Sequence, residues 1–142
     1  MSDKTFVDTN VLVYAHDVDH RSKHDIAKTT LQGLWNSATG VLSPQVLQEF
    51  YVTVTHKIAV PLKREAARSI VTAYGVWCID ITPADVSAAF LIEDEARIGF
   101  WDALIVASAV KAGATTLLSE DLNEGQIIAG VRIENPFAQS AC

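Results

Sequence analysis

The feature that most constrains this chain is an alternation of short apolar β-type runs with helical segments, with an aspartate closing two of those runs. Thr5-Phe6-Val7 reads as a strand that stops at Asp8, and Asn10 to Tyr14 begins a helical turn. A helix follows from about Ser22 to Ser37, with Ile26, Leu31, Leu34 and Trp35 as its apolar face. Gly40 to Leu42 is a brief strand. Ser43-Pro44 then supplies an N-cap and a proline at the first helical position, and that helix runs to about Lys57. Another spans about Leu62 to Tyr74 and stops at Gly75.

Val76 to Ile81 is largely apolar and predicts a buried strand. Thr82 to Asp85 carries a helix start signal for a segment reaching about Arg97, and Gly99 separates it from a helix over Phe100 to Ala112 that ends at Gly113. Thr115 to Leu118 reads as a strand leading to Ser119-Glu120-Asp121, and Val131 to Ile133 as a last one before Pro136. This order predicts an α/β fold, a parallel sheet covered by helices on both faces, whose ligands bind at the carboxyl ends of the strands. At 142 residues, with no repeat or linker, the chain is expected to form a single domain over 1–142.

Asp8 and Asp121 therefore fall at the same edge of the sheet. Either alone could be a helix cap; together they point to a site. Glu49 lies among Val46, Leu47, Phe50, Tyr51 and Val54, on the buried side of its helix, where an unpaired carboxylate is costly. Asp102 sits in Phe100-Trp101-Asp102-Ala103-Leu104-Ile105-Val106, at the start of an apolar helix whose dipole favours an anion. A shared hard cation explains all four acids, and oxygen ligands without His or Cys select Mg²⁺ or Mn²⁺ over zinc.

Four segments carry a resemblance: Phe6-Val7-Asp8-Thr9-Asn10-Val11-Leu12, Gln48-Glu49-Phe50-Tyr51, Trp101-Asp102-Ala103-Leu104-Ile105 and Leu118-Ser119-Glu120-Asp121-Leu122. In this order they make the chain resemble the PIN-domain nucleases, in particular the VapC-type toxins of bacterial toxin–antitoxin pairs. The resemblance implies a three-layer α/β/α sandwich with a parallel sheet of about five strands, a homodimer, and endonucleolytic cleavage of RNA at a Mg²⁺ or Mn²⁺ site. It places the family's acids at Asp8, Glu49, Asp102 and Asp121, and its small polar neighbours at Asn10 and Ser119. Asp8, Asp102 and Asp121 are then metal ligands, while Glu49 either ligates or takes a proton from the attacking water. It also implies a cognate antitoxin that covers the acidic pocket with an arginine or an aromatic side chain.

The net charge of -6 and pI of about 5.0 run against an RNA substrate. Residues 20–68, however, hold Arg21, Lys23, Lys28, Lys57, Lys63, Arg64 and Arg68 against Asp25, Glu49 and Glu65, a local net charge of +4. A secretion or transit segment is not expected, nor a membrane span, and Cys78 and Cys142 do not suggest a disulfide framework, so a cytoplasmic location follows. His16, His20 and His24 recur at intervals of four and would offer a zinc site on a continuous helix, although Asp17-Val18-Asp19 reads as a turn. Trp35, Trp77 and Trp101 lie among apolar residues and are expected in the core. Two other functions fit the fold class: a binding module without catalysis, and a phosphoacceptor signalling domain, which would need a lysine at a strand end beside the acids.

Overall fold

The computed structural model describes residues 3–138, so Cys142 lies outside the described residues. Strand β1 (Lys4–Val7) sits between β2 (Gly40–Val41) and β3 (Ala114–Leu118), and with β4 (Ile127–Ile128) and β5 (Val131–Glu134) they form, among the described residues, a five-stranded sheet of order β2-β1-β3-β5-β4. Phe6 and Val7 are fully buried because β1 is flanked on both sides and covered by helices. Its register pairs Phe6 with Val41 on one side and Leu117 on the other, and Val7 with Leu118. β3 continues in parallel to β5 (Val131–Glu134), pairing Leu117 with Ile133.

The fifth strand is β4 (Ile127–Ile128), antiparallel to β5 across a tight turn at Ala129-Gly130. Both turn residues have positive φ, 51° and 84°, the backbone that a two-residue hairpin requires. The sequence reading put its extra strand at Val76 to Ile81 instead, and the structure corrects it. Gly75–Trp77 is a single 3₁₀ turn, and only Cys78 bridges to Leu42. Two constraints limit the ladder: β2 is two residues long, and the Trp77 ring lies flat on Gly40, where a Cβ would stand 2.7 Å from the indole.

Among the described residues six α-helices complete an α/β/α sandwich: α1 (Thr9–Tyr14), α2 (Arg21–Ser37), α3 (Pro44–His56), α4 (Arg64–Tyr74), α5 (Pro83–Ala96) and α6 (Phe100–Lys111). α1 packs on α2 and α3, α3 on α4, and α5 on α6, which lies against β3. Ala103 to Ala109 are all buried, as expected of a helix apolar on every side. Local punctuation sets the boundaries. Asp85 Oδ2 accepts from the Thr82 N–H at 2.7 Å at the start of α5, as one half of a capping box does. Ser43 stands at the N-cap of α3 but makes no cap bond, and its hydroxyl is buried without a partner.

Candidate active site

Parallel pairing of β1 with β3 builds one edge of the site. The Asp8 N–H donates to the Leu118 carbonyl at 3.0 Å, which extends the ladder past Val7 and brings Ser119 beside Asp8. The Ser119 hydroxyl donates to Asp8 Oδ2 at 2.9 Å and accepts from the Asp121 N–H at 3.2 Å, so one side chain positions both acids. Asp8 is the N-cap of α1, and its Oδ1 accepts from the Thr9 N–H at 2.7 Å. Two residues onward, Asn10 Nδ2 donates to Asp121 Oδ2 at 2.8 Å.

The other acids arrive on helices. Glu49 projects from α3, and its Oε1 accepts from the Thr9 hydroxyl at 2.8 Å. The sequence reading placed Glu49 on the buried side of its helix; it is exposed, and the buried residues beside it are Val46, Phe50 and Val54. Asp102 occupies the first turn of α6 and is half-buried. Asp8, Glu49, Asp102, Asp121 and Asn10 line one open cavity of about 420 Å³, with Ser119 fully buried behind Asp8.

Charge at this cavity is poorly compensated. Asp8 is only 6% exposed, and its carboxyl is pushed up to about 6, chiefly by burial and further by the charges of Asp121 and Asp102, against the pull of the Ser119 and Thr9 bonds. Asp102 is raised by desolvation and by Asp121 and Glu49, and Asp121 by desolvation and Glu120. Carboxylates desolvated beside other acids in this way gain from a bound cation. The donors are hard oxygens, as Mg²⁺ and Mn²⁺ prefer. Among the described residues no three acidic, His or Cys side chains are close enough to enclose a bare ion. Glu49 is turned to Thr9 and Asp121 to Asn10. What recommends Mg²⁺ is the donor chemistry: oxygen ligands only, for an ion that keeps several waters and takes one or two carboxylates directly.

Three residues of the cavity escape a reading by strand ends. Thr9 joins Glu49 to α1; its signal is only its place between Asp8 and Asn10. Lys57, at the end of α3, is the basic residue of the 20–68 stretch that lines the cavity among the described residues, whereas Lys23 is bound to Glu120 at 2.6 Å. Trp101, expected in the core, is 65% exposed and lines the cavity. Trp35 is likewise 45% exposed, tilted against Trp77, and Trp77 alone of the three is buried. The histidines do not form a zinc site: a turn separates α1 from α2, His16 Nε2 bonds the Tyr74 hydroxyl, and His24 Nδ1 the Tyr14 carbonyl.

A family model described as the PIN domain matches residues 5–124. No protein with a curated description matches the chain. Among solved structures, VapBC2 from Rickettsia felis, bound to a DNA fragment of its promoter, is 24% identical, with a TM-score of 0.64 over 92% of this chain and 97% of that one. A toxin–antitoxin complex from Klebsiella pneumoniae is 20% identical, with a TM-score of 0.66 over 94% and 98%. VapC20 from Mycobacterium tuberculosis, described as a sarcin-ricin loop cleaving toxin, is 21% identical, with a TM-score of 0.62 over 83% and 90%. At these identities the likeness establishes a shared fold.

Proposed function

Because the chain belongs to the PIN domain family, we propose that it is a Mg²⁺- or Mn²⁺-dependent endoribonuclease, the toxin of a toxin–antitoxin pair, acting in the cytoplasm. The observation that carries this reading is the convergence of Asp8, Glu49, Asp102 and Asp121, from four separate places in the chain, on one cavity with uncompensated negative charge. Asp8, Asp102 and Asp121 are the residues that would hold the cation. Bound there, it would supply a water of lowered pKa and polarise the phosphate.

The chain's own residues do the rest by position. Ser119 and the Thr9 N–H fix both oxygens of Asp8, and Asn10 fixes Asp121 across from it. Glu49, exposed on the cavity wall, is placed to hold the ion or to take a proton from the attacking water. Lys57 brings positive charge to a cavity that must accept an anionic backbone.

The R. felis and K. pneumoniae structures are of a VapBC pair and a toxin–antitoxin complex, and by that likeness this chain takes an antitoxin partner. Phe90 and Leu91, adjacent on α5, are large apolar side chains left exposed, and they supply a surface for a homodimer. The test is the Asp8→Asn variant. It should fold, shown by an unchanged circular dichroism spectrum, and lose RNA cleavage in Mg²⁺ or Mn²⁺; cleavage at the unaltered rate would remove the reading.

A further inference from the structure

We propose that the carboxylate cavity also seats a nucleobase of single-stranded RNA, with the Trp101 indole as its stacking platform, Gln45 as the reader of its edge and Lys57 as the contact for a flanking phosphate. This rests on the ribonuclease reading and names how its substrate is held. Tryptophan is usually largely buried, yet Trp101 is 65% exposed beside Asp102. Both stand in the first turn of α6, so the turn that fixes the carboxylate also fixes the indole. Phe100 meets Trp101 edge-on, with ring centroids 5.2 Å apart, and packs in turn on Phe90 at 5.8 Å. The indole is thus braced by Phe100 and still mostly open to solvent.

An open indole beside a phosphate-cleaving site is the stacking arrangement by which proteins hold unpaired bases, and a duplex, whose bases are already stacked, could not use it. At about 420 Å³ the cavity falls in the range of pockets that hold a small ligand, matching one nucleotide rather than a helix. Val52, 46% exposed, adds an apolar wall from α3. Gln45 lines the same cavity from the first turn of α3, and its Oε1 is turned inward without a hydrogen-bond partner. A carboxamide short of one bond gains by turning to meet an amino group on a base edge, and glutamine pairs in this way with adenine. Lys57 makes no ion pair among the described residues, which leaves its ammonium for a phosphate.

The experiment measures cleavage of single-stranded oligoribonucleotides by the full chain in Mn²⁺, together with Trp101→Ala, Trp101→Phe and Gln45→Leu. Trp101→Ala should raise KM about tenfold with a much smaller change in kcat, and Trp101→Phe should recover most of the loss. Gln45→Leu should change the ratio of kcat/KM on oligo(A) to that on oligo(U) by about tenfold. An oligoribonucleotide added to the Asp8→Asn chain should quench tryptophan fluorescence, and the Trp101→Phe change in that background should abolish the quench. Unaltered KM in Trp101→Ala with cleavage intact overturns the base seat and leaves the ribonuclease reading standing. A shift of Trp101→Ala from dimer to monomer at unaltered KM also overturns it, assigning the indole to a protein interface. If the unaltered chain cleaves no RNA, the ribonuclease reading fails; a quench unaffected by Trp101→Phe then overturns the base seat as well.

Discussion

Asp8 and Asp85 are the same residue type at the start of a helix, and they have opposite fates. Asp85, in the first turn of α5, accepts from Lys111 Nζ at 2.6 Å and from the Thr82 N–H at 2.7 Å, and Lys111 above all holds its carboxyl below the ordinary range. Asp8, the N-cap of α1, also receives two hydrogen bonds, yet burial and two neighbouring acids push its carboxyl up to about 6. A helix dipole is available to both, so it does not make the difference. The difference is burial first, with acids for neighbours at Asp8 and a lysine at Asp85. Where the fold needs an anchored helix start it supplies the counter-ion; at the cavity it gathers acids and leaves their charge for something the chain does not contain, the pattern expected of a functional site.

The largest way to break this comparison is Asp8→Asn. Cleavage should fall by a factor on the order of 10²–10³, while the metal-free protein gains stability. The shift from 3.8 to about 6 on a side chain 6% exposed corresponds to about 3 kcal/mol at neutral pH, an upper figure for the gain. Urea titration in chelator measures it, and a variant less stable than the unaltered chain would contradict the claim that this charge is uncompensated. Ser119→Ala comes next. It removes the donor to Asp8 and the acceptor for the Asp121 N–H, so metal affinity or turnover should drop by about 10- to 100-fold. The pKa of Asp8 should rise further, moving the acid limb of the rate profile to higher pH.

Metal and pH together give a third, smaller effect. A carboxyl whose folded value is raised binds more protons folded than unfolded, so its protonated form stabilises the fold below 3.8, and that contribution is lost as pH rises through about 6. Asp102 and Asp121 are shifted in the same direction. Metal-free protein should therefore lose stability between about pH 4 and pH 7, and Mg²⁺ or Mn²⁺ should flatten that slope by binding the folded form. Thermal denaturation across this range, with and without the ion, is the measurement; identical slopes would argue against a cation at these acids.

Much of this fold was written locally. Pro44, Gly75, Thr82, Gly99 and Gly113 mark helix ends within a residue or two of where they fall, because caps and breakers act on their own neighbours. The strand expected at Val76 to Ile81 failed because an apolar run reports burial, not pairing, and its available neighbour β2 is two residues long. β4 was illegible for a related reason: its turn is Ala129-Gly130, without the Asn-Gly or Asp-Gly signal. At the site, Asp8 and Asp121 could be placed from strand ends alone, since parallel strands carry their ends to one edge. The exposure of Trp101 and Glu49 depends on helix phase, and apolar neighbours such as Ala103, Leu104 and Phe50 mask it. Lys57 was one charge among seven until folding singled it out.

The smallest expected effect tests the structural half of the comparison. Thr82→Ala deletes the hydroxyl that donates to Asp85 Oδ2 at 3.0 Å and should cost about 1 kcal/mol, the net worth of an ordinary hydrogen bond, with RNA cleavage unaltered. Lys111→Met probes the same corner through charge. A carboxyl whose folded value is lowered stabilises the fold above 3.8, and the contribution is lost as pH falls through the folded value. Removing Lys111 should therefore flatten the dependence of stability on pH below about 4 and leave the slope between about pH 4 and pH 7 as it was. If Lys111→Met instead changed that upper slope, Asp85 and Asp8 would be electrostatically coupled, and the division between an anchoring aspartate and a waiting one would fall.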